Sequence, residues 1–462
     1  MLFNSFHFLV FFAIVLSLNH FLRHKESHRR WMLLIASAYF YGQWNWLYLI
    51  LIYTTVIVDF TVGRHIYQRL HPRGALLISL VVNLGILSFF KYGNFFGANI
   101  VDGLNWLGLE AQWSGLDFLL PVGISFYTFQ SLSYTIDLYR QQLEPRKKLR
   151  DYALFVTFFP QLVAGPIVRA SEFFKELDHK LHVSKRSMQT GISLIFIGLV
   201  KKVVFADNLA PVVEQAFSNP SAVSGWQLLI ALYAFAFQIY FDFSGYTDIA
   251  IGAARTLGFR FPKNFNHPYS AFSIQDFWRR WHMTLSRWLR DYLYISLGGN
   301  RKGKYRTMAN LMTTMLLGGL WHGASWNFVV WGGLHGSYLA IERMLGKWFK
   351  FRLPAVIHWF ITFQLVCFAW IFFRADDFAT SQLIISKIAH LGTEPLLTGV
   401  ETYQVGLLAL LLVAHWAGAR LRLRERFYTA KPAAWGVISA LMLLSLLIWA
   451  PSESAPFIYF QF

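Results

Sequence analysis

The sequence predicts an all-α, polytopic membrane protein, and three observations carry that prediction. Apolar residues fill 55% of the 462 positions and charged residues only 14%, whereas an ordinary soluble domain is about 25% charged. Mean hydropathy is +0.40. The apolar residues are gathered into long runs separated by short basic loops. So little polar surface cannot cover several soluble cores, and the high apolar content excludes disorder.

The runs follow one another in order. Run 3–22 is long enough for one crossing at ~20 residues. Run 31–62 exceeds one span and divides around Gln43-Trp44-Asn45 into two short segments. Next come 75–91, 118–138, 152–168, 188–205 and 226–251. The last are 308–321, 324–341, 354–373, 403–418 and 433–450. Several fall short of a straight span, which predicts half-spanning or re-entrant helices. Such backbone is stable at membrane depth only inside protein or beside a watery cavity. No soluble domain, short repeat or low-complexity linker is evident. The expectation is therefore a single transmembrane domain over 1–462.

Charge orients the chain. Net charge is +18, from 42 basic and 24 acidic residues. Basic residues follow the first run (Arg23, Lys25, Arg29, Arg30) and the divided pair (Arg64, Arg69, Arg73). More follow 118–138 (Arg140, Arg146, Lys147, Lys148, Arg150) or precede the last run (Arg420, Arg422, Arg424, Arg426, Lys431). Loops 92–117 and 207–225 carry few bases. The positive-inside rule makes the rich loops cytoplasmic and turns both termini outward. Basic residues in short loops suit anionic lipid headgroups, not nucleic acid. The one cysteine, Cys367, excludes an internal disulfide and a thiol metal site. No basic residue precedes the apolar stretch Phe8 to Leu18, so a cleaved secretory signal is not expected.

The stretch 255–306 is the most informative. It holds Arg255, Arg260, Lys263, Arg279, Arg280, Arg287, Arg290, Arg301, Lys302, Lys304 and Arg306 against only Asp276 and Asp291. Wound as a helix, 276–295 places Trp278, Trp281, Leu285, Trp288, Leu289 and Tyr292 on one stripe. Arg279, Ser286 and Arg290 form a second stripe, with His282 on the seam. Asp276 or Ser273 can cap the start, and Gly298-Gly299 end it. An interfacial helix with snorkelling arginines accounts for the pattern without a ligand. A cytosolic ligand's phosphates would add a reason for the guanidinium groups.

A second site reads Gly318-Gly319-Leu320-Trp321-His322-Gly323-Ala324-Ser325-Trp326-Asn327. The glycines are expected to let the backbone bend and a ligand approach closely. Ser325 can cap the helix that follows. An ionisable residue in apolar sequence marks a functional site. A packed, neutral histidine bonded to a carbonyl is the alternative, and His335 suits it equally. No His-Glu-x-x-His, Gly-x-Ser-x-Gly or phosphate-loop motif occurs. No metal is expected, and proton transfer is the chemistry left to a lone histidine.

At these residues the chain resembles the membrane-bound O-acyltransferase family, in its bacterial polysaccharide branch. The blocks are Pro121-Val122-Gly123-Ile124-Ser125-Phe126-Tyr127-Thr128-Phe129-Gln130, Phe158-Phe159-Pro160-Gln161-Leu162-Val163-Ala164-Gly165-Pro166 and Phe241-Asp242-Phe243-Ser244-Gly245-Tyr246-Thr247-Asp248. Others are Phe277-Trp278-Arg279-Arg280-Trp281-His282 continuing to Trp288-Leu289-Arg290-Asp291-Tyr292, and Gly319-Leu320-Trp321-His322-Gly323. Trp370-Ile371-Phe372-Phe373-Arg374-Ala375 and Phe457-Ile458-Tyr459-Phe460 complete the set. The resemblance implies a bundle of about 11–13 tilted, partly re-entrant helices around a central tunnel. It implies that His322 matches the family's catalytic histidine and His282 the branch's second histidine. It also implies a cytosolic thioester donor, acetyl-CoA, and no permanently bound cofactor. The acceptor is a hydroxyl on the outer side of a bacterial inner membrane.

On that footing His322 is expected to act as general base and His282 to orient a substrate or share the proton. Arg279, Arg287, Arg290, Lys302 and Lys304 are expected to hold the donor's phosphates. Trp278, Trp281, Ser286, Asp291, Trp321, Trp326 and Asn327 are expected to line the tunnel and exclude water. The expected partners are membrane lipid, the acetyl donor, an exopolysaccharide (alginate first, then cellulose, peptidoglycan or another glycan) and a periplasmic acetyltransferase or relay protein. A transporter, or a scaffold without chemistry, is the rival class.

Overall fold

The computed structural model describes residues 1–163, 165–179, 183–348, 354–391, 399–452 and 455–460. Ala164, inside one quoted block, lies outside the described residues. Every regular element among them is a helix. Six helices are long and apolar enough to cross a membrane: Tyr48–Tyr67, Pro72–Trp106, Gly225–Thr256, Ala355–Arg374, Glu401–Leu421 and Pro432–Trp449. The chain divides into two compact units, Met1–Gly191 with Ala250–Pro262, and Ile192–Ile249 with Lys263–Phe462.

In the first unit, Ser5 starts the helix Phe6–Phe21 by accepting a hydrogen bond from the Phe8 amide at 3.1 Å. The divided run forms Glu26–Gly42 and Tyr48–Tyr67, parted at Gln43 as expected. Pro72 opens the next helix at a position where its missing N–H goes unneeded. Asp59 is wholly buried mid-helix in an apolar element. Ser79 Oγ donates to its carboxylate at 2.6 Å and Asn83 Nδ2 at 2.9 Å, because a carboxyl there must be hydrogen-bonded.

Three expectations change. The helix expected over 118–138 spans Ile124–Tyr139, since Pro121 and a left-handed Gly123 (φ 77°) turn the chain just before it. Loop 92–117 contains the helix Gly93–Trp106, and loop 207–225 contains Asp207–Ser218. Both helices mix Asn, Gly, Asp or Gln into their apolar faces, so a search for continuous apolar runs passes over them.

The part of the long helix Gly225–Thr256 that belongs to the second unit, up to Ile249, buries residues on every side, including Phe235, Phe237, Ile239 and Phe243. An all-round apolar helix belongs inside a bundle. The helices Gly303–His322 and Trp326–Trp348 form a tight hairpin. A Cβ on Gly319 would strike the Phe328 carbonyl, and one on Gly332 the Met315 carbonyl. Small residues at this interface let the two backbones touch.

Candidate active site

The site is built in the second unit from two interruptions of helix. The first falls in the aromatic-basic stretch. Ser273 caps it, accepting from the Asp276 amide at 3.0 Å, and the helix runs Ile274–Arg280. The continuous helix expected over 276–295 is not formed. Trp281 is extended and His282 is left-handed, with φ 39°. Helix resumes at Met283–Trp288, widens into a π turn over Leu289–Tyr294, and ends before Gly298 and Gly299, both at positive φ.

Asn264 supplies the physical reason for the break. Its backbone carbonyl accepts from the Met283 amide at 2.9 Å. Its Oδ1 accepts from the Thr284 amide at 3.2 Å and from Thr284 Oγ1 at 2.8 Å. The same oxygen lies 3.3 Å from His282 Nδ1. An oxygen can only accept, so this contact puts the imidazole proton on Nδ1 and the lone pair on Nε2. A straight helix could not present His282 and Thr284 to one side chain together with a fully buried imidazole. The residues expected on the tryptophan stripe, Trp278, Trp281, Leu285, Trp288, Leu289 and Tyr292, are all buried although the helix is broken between them.

The second interruption carries His322, the last residue of its helix. Gly323 is extended, and Ser325 opens the next helix, its Oγ accepting from the Asn327 amide at 3.1 Å. Gly319 and Gly323 serve packing of the hairpin. A Cβ on Gly323 would enter the Phe328 ring, so that space is already filled by the hairpin.

His322 is 3% exposed. Its ring centroid lies 4.9 Å from Trp331, 5.0 Å from Trp321, 5.3 Å from Phe373 and 5.7 Å from Tyr459. Trp321 also faces His282, at 6.0 Å. Phe243 completes a second bridge, 4.8 Å from His282 and 4.3 Å from Tyr459. The two histidines therefore share one aromatic cluster. Such a setting strengthens any charge interaction inside it and keeps bulk water away.

Tyr459 reaches the cluster because the terminal segment is tied down. Lys202 Nζ donates to the Ala455 carbonyl at 2.8 Å. It pairs with Asp207 at 2.8 Å and with Asp242 at 2.9 Å. Asp242 in turn accepts from the Ile458 amide at 2.7 Å. His335 is packed as expected, 4.8 Å from Trp331 and 5.1 Å from Trp278. Neither of its ring nitrogens has a hydrogen-bond partner among the described residues, so the expected carbonyl bond is not made.

The other expected residues divide. Trp278, Trp281 and Trp321 are buried, while Ser286 and Asp291 are half-buried. Trp326 is 59% exposed at the first turn of its helix, while Trp331 and Phe373 stand beside His322. Asn327 is buried, its Nδ2 donating to the Ala375 carbonyl at 2.8 Å, which ties helices together. Arg279, Lys302 and Lys304 are exposed and Arg287 is half-buried. Arg290 pairs with Asp291 at 2.6 Å. No group of three or more metal-ligating side chains occurs among the described residues. Reading the sequence missed Asn264, Phe243, Trp331, Phe373 and Tyr459. Phe243, Phe373 and Tyr459 stood in recognised blocks without a role, whereas Asn264 carried no local signal.

Comparisons with known proteins agree with one another. Residues 140–376, which include both histidines, match the family model of the membrane-bound O-acyltransferases. The probable alginate O-acetylase AlgI of Pseudomonas aeruginosa is 41% identical over 423 residues, covering 88% of this chain and 80% of that protein. The peptidoglycan O-acetyltransferase of Helicobacter pylori is 35% identical, covering 93% of this chain and 91% of that protein. The teichoic acid D-alanyltransferase of Bacillus subtilis is 29% identical, covering 56% of this chain and 69% of that one. With the helical membrane fold and the matched span around its buried histidines, the chain belongs to the membrane-bound O-acyltransferase family of acyl-transferring enzymes.

Proposed function

We propose that this protein moves an acetyl group from cytosolic acetyl-CoA to a hydroxyl acceptor across a bacterial inner membrane, with the whole chain, 1–462, acting as one domain. The observation that carries this reading is the convergence of His322 and His282 on one buried aromatic cluster. A hydroxyl must lose its proton as it attacks a thioester. His322 takes that proton while oxygen bonds to the acetyl carbon. The carbon–sulfur bond then breaks, and the departing thiolate recovers the proton from the imidazolium. A positioned base contributes about 10²–10⁴-fold. His282, with its lone pair on Nε2, orients the acceptor or shares the proton. The walls exclude water that would hydrolyse the acetyl donor. A ring so deeply buried must be reached through a narrow passage between these aromatic side chains, the central tunnel of this proposal.

Arg279, Arg287, Arg290, Lys302 and Lys304 hold the coenzyme's phosphates at the cytoplasmic mouth. The acceptor is an exopolysaccharide, alginate first, since relatives of this similarity are named for alginate. Peptidoglycan comes next, from a relative named for it. A periplasmic relay protein receives or directs the acetyl group, and both termini face the periplasm.

The test is His322→Ala in the full-length protein. Acetyl transfer should vanish while the protein accumulates in the membrane at the wild-type level. Normal acetylation of the glycan in that variant ends the proposal. Purified wild-type protein that consumed no acetyl-CoA with acceptor present would instead favour a transporter or scaffold. Arg287→Glu with Arg290→Glu should raise the donor KM, and an unchanged donor titration removes the phosphate role.

A further inference from the structure

A cavity of about 780 Å³ lies in the first unit, far along the sequence from either histidine. That volume lies within the range of ligand sites. Its lining has two characters. One part is apolar, from Leu16, Phe21, Val183 and Met188. The other is basic, from His20, Arg23, His24 and Arg29, with Glu26 the acid among the lining residues.

The basic groups are already gathered. Arg23 Nε donates to His24 Nε2 at 3.0 Å, and Arg23 Nη1 lies 3.4 Å from His20 Nε2. Arg29 is buried and held in place, its Nε donating to Asn19 Oδ1 at 2.6 Å and its Nη2 to the Leu257 carbonyl at 2.6 Å. It adds a fixed positive charge to the lining. Arg23, by contrast, is exposed and can turn its guanidinium fork to a ligand.

We propose that this cavity binds one anionic phospholipid, its phosphate received by Arg23, His20 and His24, and its glycerol and upper acyl chain laid on Leu16, Phe21 and Met188. Guanidinium meets phosphate in a bidentate fork. The apolar wall selects an amphiphile over a water-soluble phosphate. The setting agrees, because the helix Phe6–Phe21 turns Ile14, Leu18 and Phe21 outward where acyl chains would lie. The loop that follows it is rich in bases, and a basic pocket at the cytoplasmic end of membrane helices is where anionic headgroups gather. The inference does not depend on the acetyl-transfer reading.

The experiment is native mass spectrometry of the full chain in detergent, titrated in turn with phosphatidylglycerol, phosphatidylcholine and coenzyme A. Arg23→Glu reverses the phosphate contact and Met188→Trp fills the apolar part. Lys25→Glu reverses an exposed neighbouring charge outside the cavity lining. Phosphatidylglycerol should bind more tightly than phosphatidylcholine. Its affinity should fall about fivefold or more in Arg23→Glu and also in Met188→Trp, with Lys25→Glu close to wild type and coenzyme A unable to displace it. Equal binding of the two lipids, indifference to both cavity variants, or an equal loss in Lys25→Glu would overturn the proposal. Displacement by coenzyme A would overturn it too, by assigning the cavity to a soluble phosphate ligand.

Discussion

Asn264→Ala is the most informative single change in the site. The lost Oδ1 serves the Thr284 amide, the Thr284 hydroxyl and His282 Nδ1 together. The hydroxyl can rotate to another acceptor, but the amide is fixed. Thr284 is 1% exposed, so water does not replace the acceptor. An unsatisfied buried donor costs about 1–3 kcal/mol. His282 meanwhile stays in a left-handed conformation that disfavours a side chain by about 1–2 kcal/mol, with its tether gone. That strain is present in the wild type too, so the expected loss of stability is about 1–3 kcal/mol, from the unpaired amide. If Asn264 acts on transfer through His282, the rate should fall about 10–100-fold, as for a group displaced by an ångström. The assays are thermal unfolding in detergent and acetyl transfer, each repeated in a His282→Ala background. In that background Asn264→Ala should lower stability again yet leave the transfer rate almost unchanged. An equal further loss of transfer would refute the tether, as would a wild-type melting curve for the single variant.

Other expectations follow from the same geometry. Gly319→Ala should destabilise the hairpin by about 1–3 kcal/mol through its clash with the Phe328 carbonyl. Gly333→Ala, which meets only Leu316 Cδ2 at 3.6 Å, should be neutral or mildly stabilising; equal melting temperatures would remove the packing role. Lys202→Met leaves the buried Asp207 and Asp242 carboxylates uncompensated and should cost about 3–5 kcal/mol in denaturant titrations, part of it recovered by adding Asp242→Asn. Asp377 caps the helix Phe378–Ala389, accepting from the Thr380 amide at 2.7 Å, and that hydrogen bond lowers its pKa. With a depressed folded-state pKa, the cap's contribution is complete above the ordinary aspartate value and fades as pH falls through the lowered one. Hydrogen exchange in this helix should therefore quicken in acid, and Asp377→Asn should flatten the response; an identical acid response in both would count against it.

Short-range chemistry was readable from the chain alone. Ser273 and Ser325 cap where their positions before apolar helices implied, and Gly298 and Gly299 end the aromatic helix. The membrane class and the division at Gln43 were equally plain. Each depends on hydrophobic periodicity or on a side chain reaching an amide a few residues away. The break at Trp281–His282 was not readable, because the residues themselves would continue a helix. Only Asn264, from a neighbouring segment, makes the broken backbone the better-bonded one.

The amino-acid sequence by itself determined a helical membrane protein, its caps, and the histidines worth watching. Tertiary structure alone decided that His282 and His322 share Trp321, and that Tyr459 stands beside them on a segment held by Lys202 and Asp242. The difference is one of range. Caps and periodicity act within a turn or two of helix. A buried cluster is selected by packing and by the need to pair every buried charge, and those demands are met by residues that only the fold brings together.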